Sequence, residues 1–131
     1  MILRTASEKD LKKISKLVNK SFKRKNKPPL NGFIDNPNII CFVVEIEDEL
    51  VGTATLNLLQ KIDRVAGLVE DVVVDENYKK KGIGSTLIKE IIKQAKSNNC
   101  YKVMLNCKIE NIGFYEKLSF ESNEIQMVKR F

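Results

Sequence analysis

Two groups of residues in this sequence have types and spacing that could do chemistry. The first is Lys79-Lys80-Lys81-Gly82-Ile83-Gly84, which follows the apolar run Val72-Val73-Val74 and opens an amphipathic segment. Unpaired backbone N–H groups converge where a helix begins, and the helix start adds about half a positive charge. Glycine lets main chain approach an anion, so the segment reads as a phosphate cradle, deepened by its lysines. The second group is Glu70-Asp71, two carboxylates that interrupt an otherwise continuous leucine and valine run. Successive strand residues face opposite sides, so the pair cannot be assigned to a single solvent face.

Histidine is absent, which removes the usual general base, the triads that depend on it and most metal sites; no metal is expected. Acid–base work must fall to carboxylate, tyrosine, lysine or water. The 23 basic against 17 acidic residues leave a net charge of +6, which favours an anionic partner without identifying it. Cys41, Cys100 and Cys107 are odd in number and irregularly spaced, arguing against disulfides or a zinc knuckle; Cys107, in an apolar run, is expected to pack. No secretory leader pattern is read at Met1-Ile2-Leu3-Arg4, and no apolar run reaches the ~18 residues of a membrane span. The expectation is one cytoplasmic domain over residues 1–131 with no membrane partner.

These groups must be positioned by a mixed α/β sandwich, a central sheet flanked by helices, in the order βα, ββ, β, α, β, α, β. Leu3 to Thr5 reads as a first strand, and Ser7-Glu8-Lys9-Asp10 has capping-box spacing before a helix carrying Leu11, Ile14, Leu17 and Val18. Lys20 to Pro29 reads as an exposed basic loop or a broken helix. Ile39 to Ile46 and Leu50 to Leu59 form a hairpin across Glu47-Asp48-Glu49. Gly67 ends a loop before the strand Leu68 to Asp75. From Gly84 the apolar positions Leu87, Ile88, Ile91, Ile92 and Ala95 keep a 3.6-residue period until Asn98-Asn99. A strand Tyr101 to Cys107, a short helix Asn111 to Leu118 and a last strand Phe120 to Phe131 complete the order.

With its strand context, Tyr78-Lys79-Lys80-Lys81-Gly82-Ile83-Gly84 resembles the pyrophosphate loop Gln/Arg-x-x-Gly-x-Gly/Ala of the GCN5-related N-acetyltransferases, with Lys79 at the Gln/Arg position. Asn111-Ile112-Gly113-Phe114-Tyr115-Glu116-Lys117-Leu118-Ser119-Phe120 is similar to that family's ending Asn-x-x-x-x-Tyr-x-x-x-Gly-Phe. More narrowly, Val69 to Val74, Asn99 to Val103 and Asn111 to Lys117 look like glucosamine-6-phosphate N-acetyltransferases. The likeness is good over residues 68–131 and only in outline before them. It implies the GNAT-type acyl-CoA fold with splayed central strands, acetyl-CoA as cosubstrate, a phosphorylated amino sugar as acceptor, and a place in UDP-GlcNAc biosynthesis. It also implies a homodimer in which the last strand packs against or exchanges with its partner, and direct amine attack in a ternary complex.

The resemblance assigns roles residue by residue. Glu70, Asp71 and Val72 would offer main chain to the acetyl-pantetheine arm where their strand parts from Leu105-Asn106-Cys107, and a main-chain N–H there would polarise the thioester carbonyl. Tyr78 to Gly84 would hold the diphosphate, and Asn111 would complete the cofactor contacts. With no histidine available, Glu70 is the nearest carboxylate to take the acceptor's proton, directly or through water, while Tyr115 matches the family's tyrosine near the sulfur and would protonate the departing thiolate. Arg130 would meet the sugar phosphate, helped by Lys61, Lys102 and the Asn99-Cys100 turn. Three positions depart from the pattern. Leu68 replaces a basic residue, Asn106 replaces an acid and so can bind hydroxyls without acting as a base, and Ser119 replaces a glycine and is expected in a left-handed conformation. The same fold could instead acetylate a polyamine, amino acid or protein lysine. A non-catalytic acyl-CoA or RNA-binding module is the reading from another class, disfavoured because no aromatic-basic stacking strip is present and no nucleic-acid partner is expected.

Overall fold

The computed structural model describes all 131 residues. Five strands form one sheet in sequence order: β1 (Ile2–Thr5), β2 (Ile39–Ile46), β3 (Glu49–Gln60), β4 (Val65–Val74) and β5 (Cys100–Met104). All neighbours are antiparallel except β4 and β5, which are parallel and joined by helix α2 (Ile83–Ser97). Helix α1 (Leu11–Ser21) follows β1, and the short α3 (Ile112–Glu116) follows β5.

The strand period of two divides the core between the two faces. Cys41 and Val43 of β2 pack with Ile14 and Val18 of α1, whereas Phe42 and Val44 pack with Leu87, Ile88, Ile91 and Ala95 of α2. The sheet is therefore filled from both sides, as the sandwich requires. The β2–β3 hairpin closes on Glu47 and Asp48, both with positive φ (51° and 65°), the twist a two-residue hairpin turn needs. Gly67, expected to end a loop, lies inside β4 instead: a Cβ there would stand 2.8 Å from Leu56 Cδ1, so its lack of a side chain lets the sheet close over a core leucine. The segment after α1 is an exposed loop. No helix is long and apolar enough to cross a membrane.

Two sequence expectations fail at the C-terminal end. The strand expected over Tyr101–Cys107 stops at Met104, so Leu105, Asn106 and Cys107 lie outside the sheet and Cys107 is exposed rather than packed. The strand expected over Phe120–Phe131 is absent. That segment pairs with nothing in the single chain and leaves Ile125, Met127, Val128 and Phe131 exposed, although its residues suit a strand.

One polar network ties the first strand to the sheet. Arg4 donates to both Asp10 carboxylate oxygens at 2.7 and 2.9 Å and to Glu45 at 2.8 Å, while Asp10 also accepts from the Ser7 N–H at 2.8 Å. The guanidinium holds the Asp10 carboxyl well below the usual aspartate range, opposed by burial. Asp10→Asn should therefore destabilise the fold by about 1–3 kcal/mol, the range for hydrogen bonds to charged groups. The sign follows from the depressed folded-state pKa. The contribution is present above the unfolded value of ~3.9 and is lost as pH falls through the folded one. Urea unfolding between pH 7 and pH 2 checks this: the gap between wild type and variant should narrow in acid, and a constant gap would assign the effect to packing.

Candidate active site

The β4 register against β3 locates the feature that builds the site. Leu56 faces Val69 and Thr55 faces Glu70, yet Thr53 faces Val73, so β4 carries one residue too many between Glu70 and Val73. Asp71 takes a φ of 51° there. This is a β-bulge, and it reverses the facing of everything after it: Val69 packs on the α2 side and Val73, four residues on, packs on the α1 side. The bulge also resolves the puzzle of the two carboxylates, because it turns both Glu70 and Asp71 to the surface without breaking the core.

The bulge coincides with the parting of β4 from β5. Their parallel pairing ends at Leu68 and Met104, while β4 runs on to Val74. Main chain at Glu70, Asp71 and Val72 thus faces no β5 partner, and Leu105-Asn106-Cys107 has left the sheet opposite it. A thioester arm lying between two such segments could take backbone hydrogen bonds from either.

Beyond β4, Asp75 accepts from the Asn77 N–H at 2.9 Å and starts a single helical turn that ends at Tyr78. The chain then alternates conformation, with Lys80 at φ 63° and Gly82 at φ 78°, before α2 starts at Ile83. Alternation of this kind turns successive N–H groups toward one concavity, and it lies at the positive end of a 15-residue helix. A Cβ on Gly82 would meet nothing within 4 Å, so glycine serves the left-handed φ there rather than space. Lys79 pairs with Glu76 at 2.9 Å, the Lys81 ammonium lies 5.4 Å from the Tyr78 ring centroid, and neither Lys80 nor Lys81 makes an ion pair. The two lysines are available to an anion, as the cradle needs.

Helix α3 closes the other side. A Cβ on Gly84 would lie 3.4 Å from Phe114 Cζ, which places Phe114 against the start of α2. The Tyr115 ring meets Phe114 and Phe120 edge-on at 4.9 and 5.7 Å. Burial, and to a lesser extent the nearby Cys107, pushes the Tyr115 phenol up, so it keeps its proton at neutral pH and can donate it. Burial and then the Asp71 charge push the Glu70 carboxyl up, the direction a general base requires. Asn106 and Asn111 are exposed beside these elements. Ser119 has the left-handed φ expected of it, at 69°, a strain on the order of 1 kcal/mol for a residue with a Cβ.

The remaining expected residues gather elsewhere. Lys61 Nζ donates to the Tyr101 hydroxyl at 3.1 Å, the Arg64 guanidinium lies 4.2 Å from the Tyr101 ring centroid, and Lys102 Nζ lies 5.5 Å from it. The hydrogen bond from Lys61, then the charges of Arg64 and Lys102, hold the Tyr101 phenol below its ordinary value. Arg64 was not singled out by sequence reasoning, and the signal for it is topological: parallel β4 and β5 bring the turns that precede them to the same sheet edge. Asn99, at φ 59°, and Cys100 lie in and just after the β5 turn. This corner sits at the start of β5, where Cys100 pairs with Val65, at the opposite end of the β4–β5 pairing from the bulge. Arg130 is exposed and makes no ion pair. No three His, Cys, Asp or Glu side chains gather in a group able to hold a metal.

Comparison with known proteins accords with this geometry. Glucosamine 6-phosphate N-acetyltransferase of Schizosaccharomyces pombe is 38% identical over 95 residues, 67% of this chain and 86% of that protein. The Arabidopsis thaliana enzyme of the same name is 36% identical over 98 residues, 72% of this chain and 66% of that protein. A Trypanosoma brucei acetyltransferase of known structure superposes with a TM-score of 0.86 at 32% identity, covering 99% of both chains. Residues 9–120 match the acetyltransferase (GNAT) family, and the chain belongs to that family, whose cosubstrate is acetyl-CoA.

Proposed function

We propose that this chain transfers the acetyl group of acetyl-CoA to the amine of glucosamine 6-phosphate, acting in the cytoplasm as a homodimer. The observation that carries the reading is the bulge at Glu70-Asp71, where β4 parts from β5 on the strand that leads into the turn at the start of α2. Three free cysteines suit a reducing compartment.

When bound, acetyl-CoA supplies the activated acyl thioester. The N–H groups of residues 79–84 receive its diphosphate at the start of α2, with Lys80 and Lys81 adding charge. Main chain of Glu70 to Val72 on one side, and of Leu105 to Cys107 on the other, aligns the pantetheine arm and polarises the thioester carbonyl. Glu70, its carboxyl raised above its ordinary value by burial and then by the Asp71 charge, removes the proton the acceptor amine must lose, directly or through one water. Tyr115 returns a proton to the leaving sulfur.

The phosphate is read by the corner of Lys61, Arg64, Tyr101 and Lys102. That corner lies at the opposite end of the β4–β5 pairing from Glu70, and in this reading it serves the Glu70 of a second copy. The unpaired residues 120–131, with their exposed apolar side chains, supply the contact between copies and bring Arg130 to the same phosphate.

Thiol release from acetyl-CoA against a panel of amino sugars and their phosphates tests the reading. Turnover is expected with glucosamine 6-phosphate and only weakly with glucosamine. Equal turnover of both, or preference for a polyamine or a lysine peptide, overturns the acceptor assignment while leaving the acetyltransferase intact.

A further inference from the structure

Both ends of the cradle rest on one dipeptide of β3. At the entrance, the Asp75 N–H donates to the Val51 carbonyl at 2.7 Å, and Val74 pairs with Gly52. At the exit, Ile83, buried as the first residue of α2, lies directly on Gly52: a Cβ there would stand 2.8 Å from Ile83 Cγ2 and 3.3 Å from Leu87 Cδ1. The φ of Gly52 lies outside the left-handed region, so glycine is required at this point for space and not for conformation. The eight residues between, 75 to 82, make the cradle, and their span is set by how closely α2 seats on β3.

We infer that Gly52 is a positioning residue for cosubstrate binding: its missing side chain sets the height of the first turn of α2, and with it the convergence of the cradle N–H groups on a diphosphate. Ile83 acts here through its buried side chain, while its backbone belongs to the cradle. A methyl at Gly52 must push Ile83 or Leu87 outward, and both are branched, buried and packed against the helix they belong to. Because Asp75 stays tied to Val51, the displacement falls on the exit end alone and opens the cradle.

The inference rests on the family assignment, and the test separates the two. Titration calorimetry with acetyl-CoA, in the absence of acceptor, should show Gly52→Ala binding about tenfold more weakly than wild type. With acetyl-pantetheine, which lacks the diphosphate, the kcat/KM of the variant should equal that of wild type. Leucine at position 83 has no Cγ2, so Gly52→Ala with Ile83→Leu should recover acetyl-CoA affinity, which also covers a single variant that fails to fold. Wild-type affinity in Gly52→Ala, an equal loss with acetyl-pantetheine, or a folded double variant that still binds tenfold more weakly would each overturn the positioning role. Absence of acetyl-CoA binding by wild type would instead sink the cosubstrate itself.

Discussion

Glu70→Gln should lower kcat by about 10²- to 10⁴-fold with little change in acetyl-CoA affinity, because it removes proton transfer while leaving the main chain of the bulge in place. The accompanying pH signature is more specific than the loss. A base works only when deprotonated, and burial together with Asp71 raises the Glu70 carboxyl above its ordinary value. The acid limb of kcat, read at saturating acceptor, should therefore lie above the ~4.3 of an unperturbed glutamate. Asp71→Asn removes the charge contribution but not the burial, so its limb should move to lower pH without vanishing. In Glu70→Gln the limb itself should disappear. Since ionising Glu70 is disfavoured in the fold, the glutamine variant should melt no lower than wild type, which separates lost chemistry from lost structure. Full turnover by Glu70→Gln across the pH range would move the base to solvent water.

The site was legible in sequence wherever its cause is local. Helix starts and glycine positions are set by neighbours in the chain, so the turn at Lys80 to Gly82 that opens α2 and the left-handed Ser119 are found where the residues place them. The bulge is not local, because an extra residue in β4 exists only by comparison with β3. The oddity of Glu70-Asp71 marked the place, but alternation suggested opposite faces where the extra residue in fact sends both to the surface. The same bulge explains why Leu105 to Cys107 leaves the sheet despite strand-forming residues. β4 bends away, and a strand without a partner edge has no ladder to join. Residues 120–131 fail as a strand although the outer edges of β1 and β5 are both open, so the failure does not come from lack of an edge and nothing local in the segment explains it. Arg64 was missed because it meets Tyr101 only through the parallel pairing of β4 and β5.

If the cationic corner of one subunit completes the site of the other, two impaired variants should complement each other. Arg64→Ala with Lys102→Ala should raise the KM for glucosamine 6-phosphate by about 10- to 100-fold, the scale of lost charge-assisted contacts to a phosphate, and leave the slow turnover of glucosamine unchanged. Glu70→Gln keeps its corner but lacks the base. When the two proteins are mixed under conditions that exchange subunits, each mixed dimer pairs an intact Glu70 with an intact corner at one of its two sites. Activity at low glucosamine 6-phosphate should then exceed the sum of the separate preparations, and should fall again when residues 120–131 are removed from either protein. A corner that serves its own subunit gives no such gain, because every chain in the mixture would still lack one component. Light scattering that finds only monomer at the assay concentration, with full turnover, would return the corner and Glu70 to one chain and overturn the shared site.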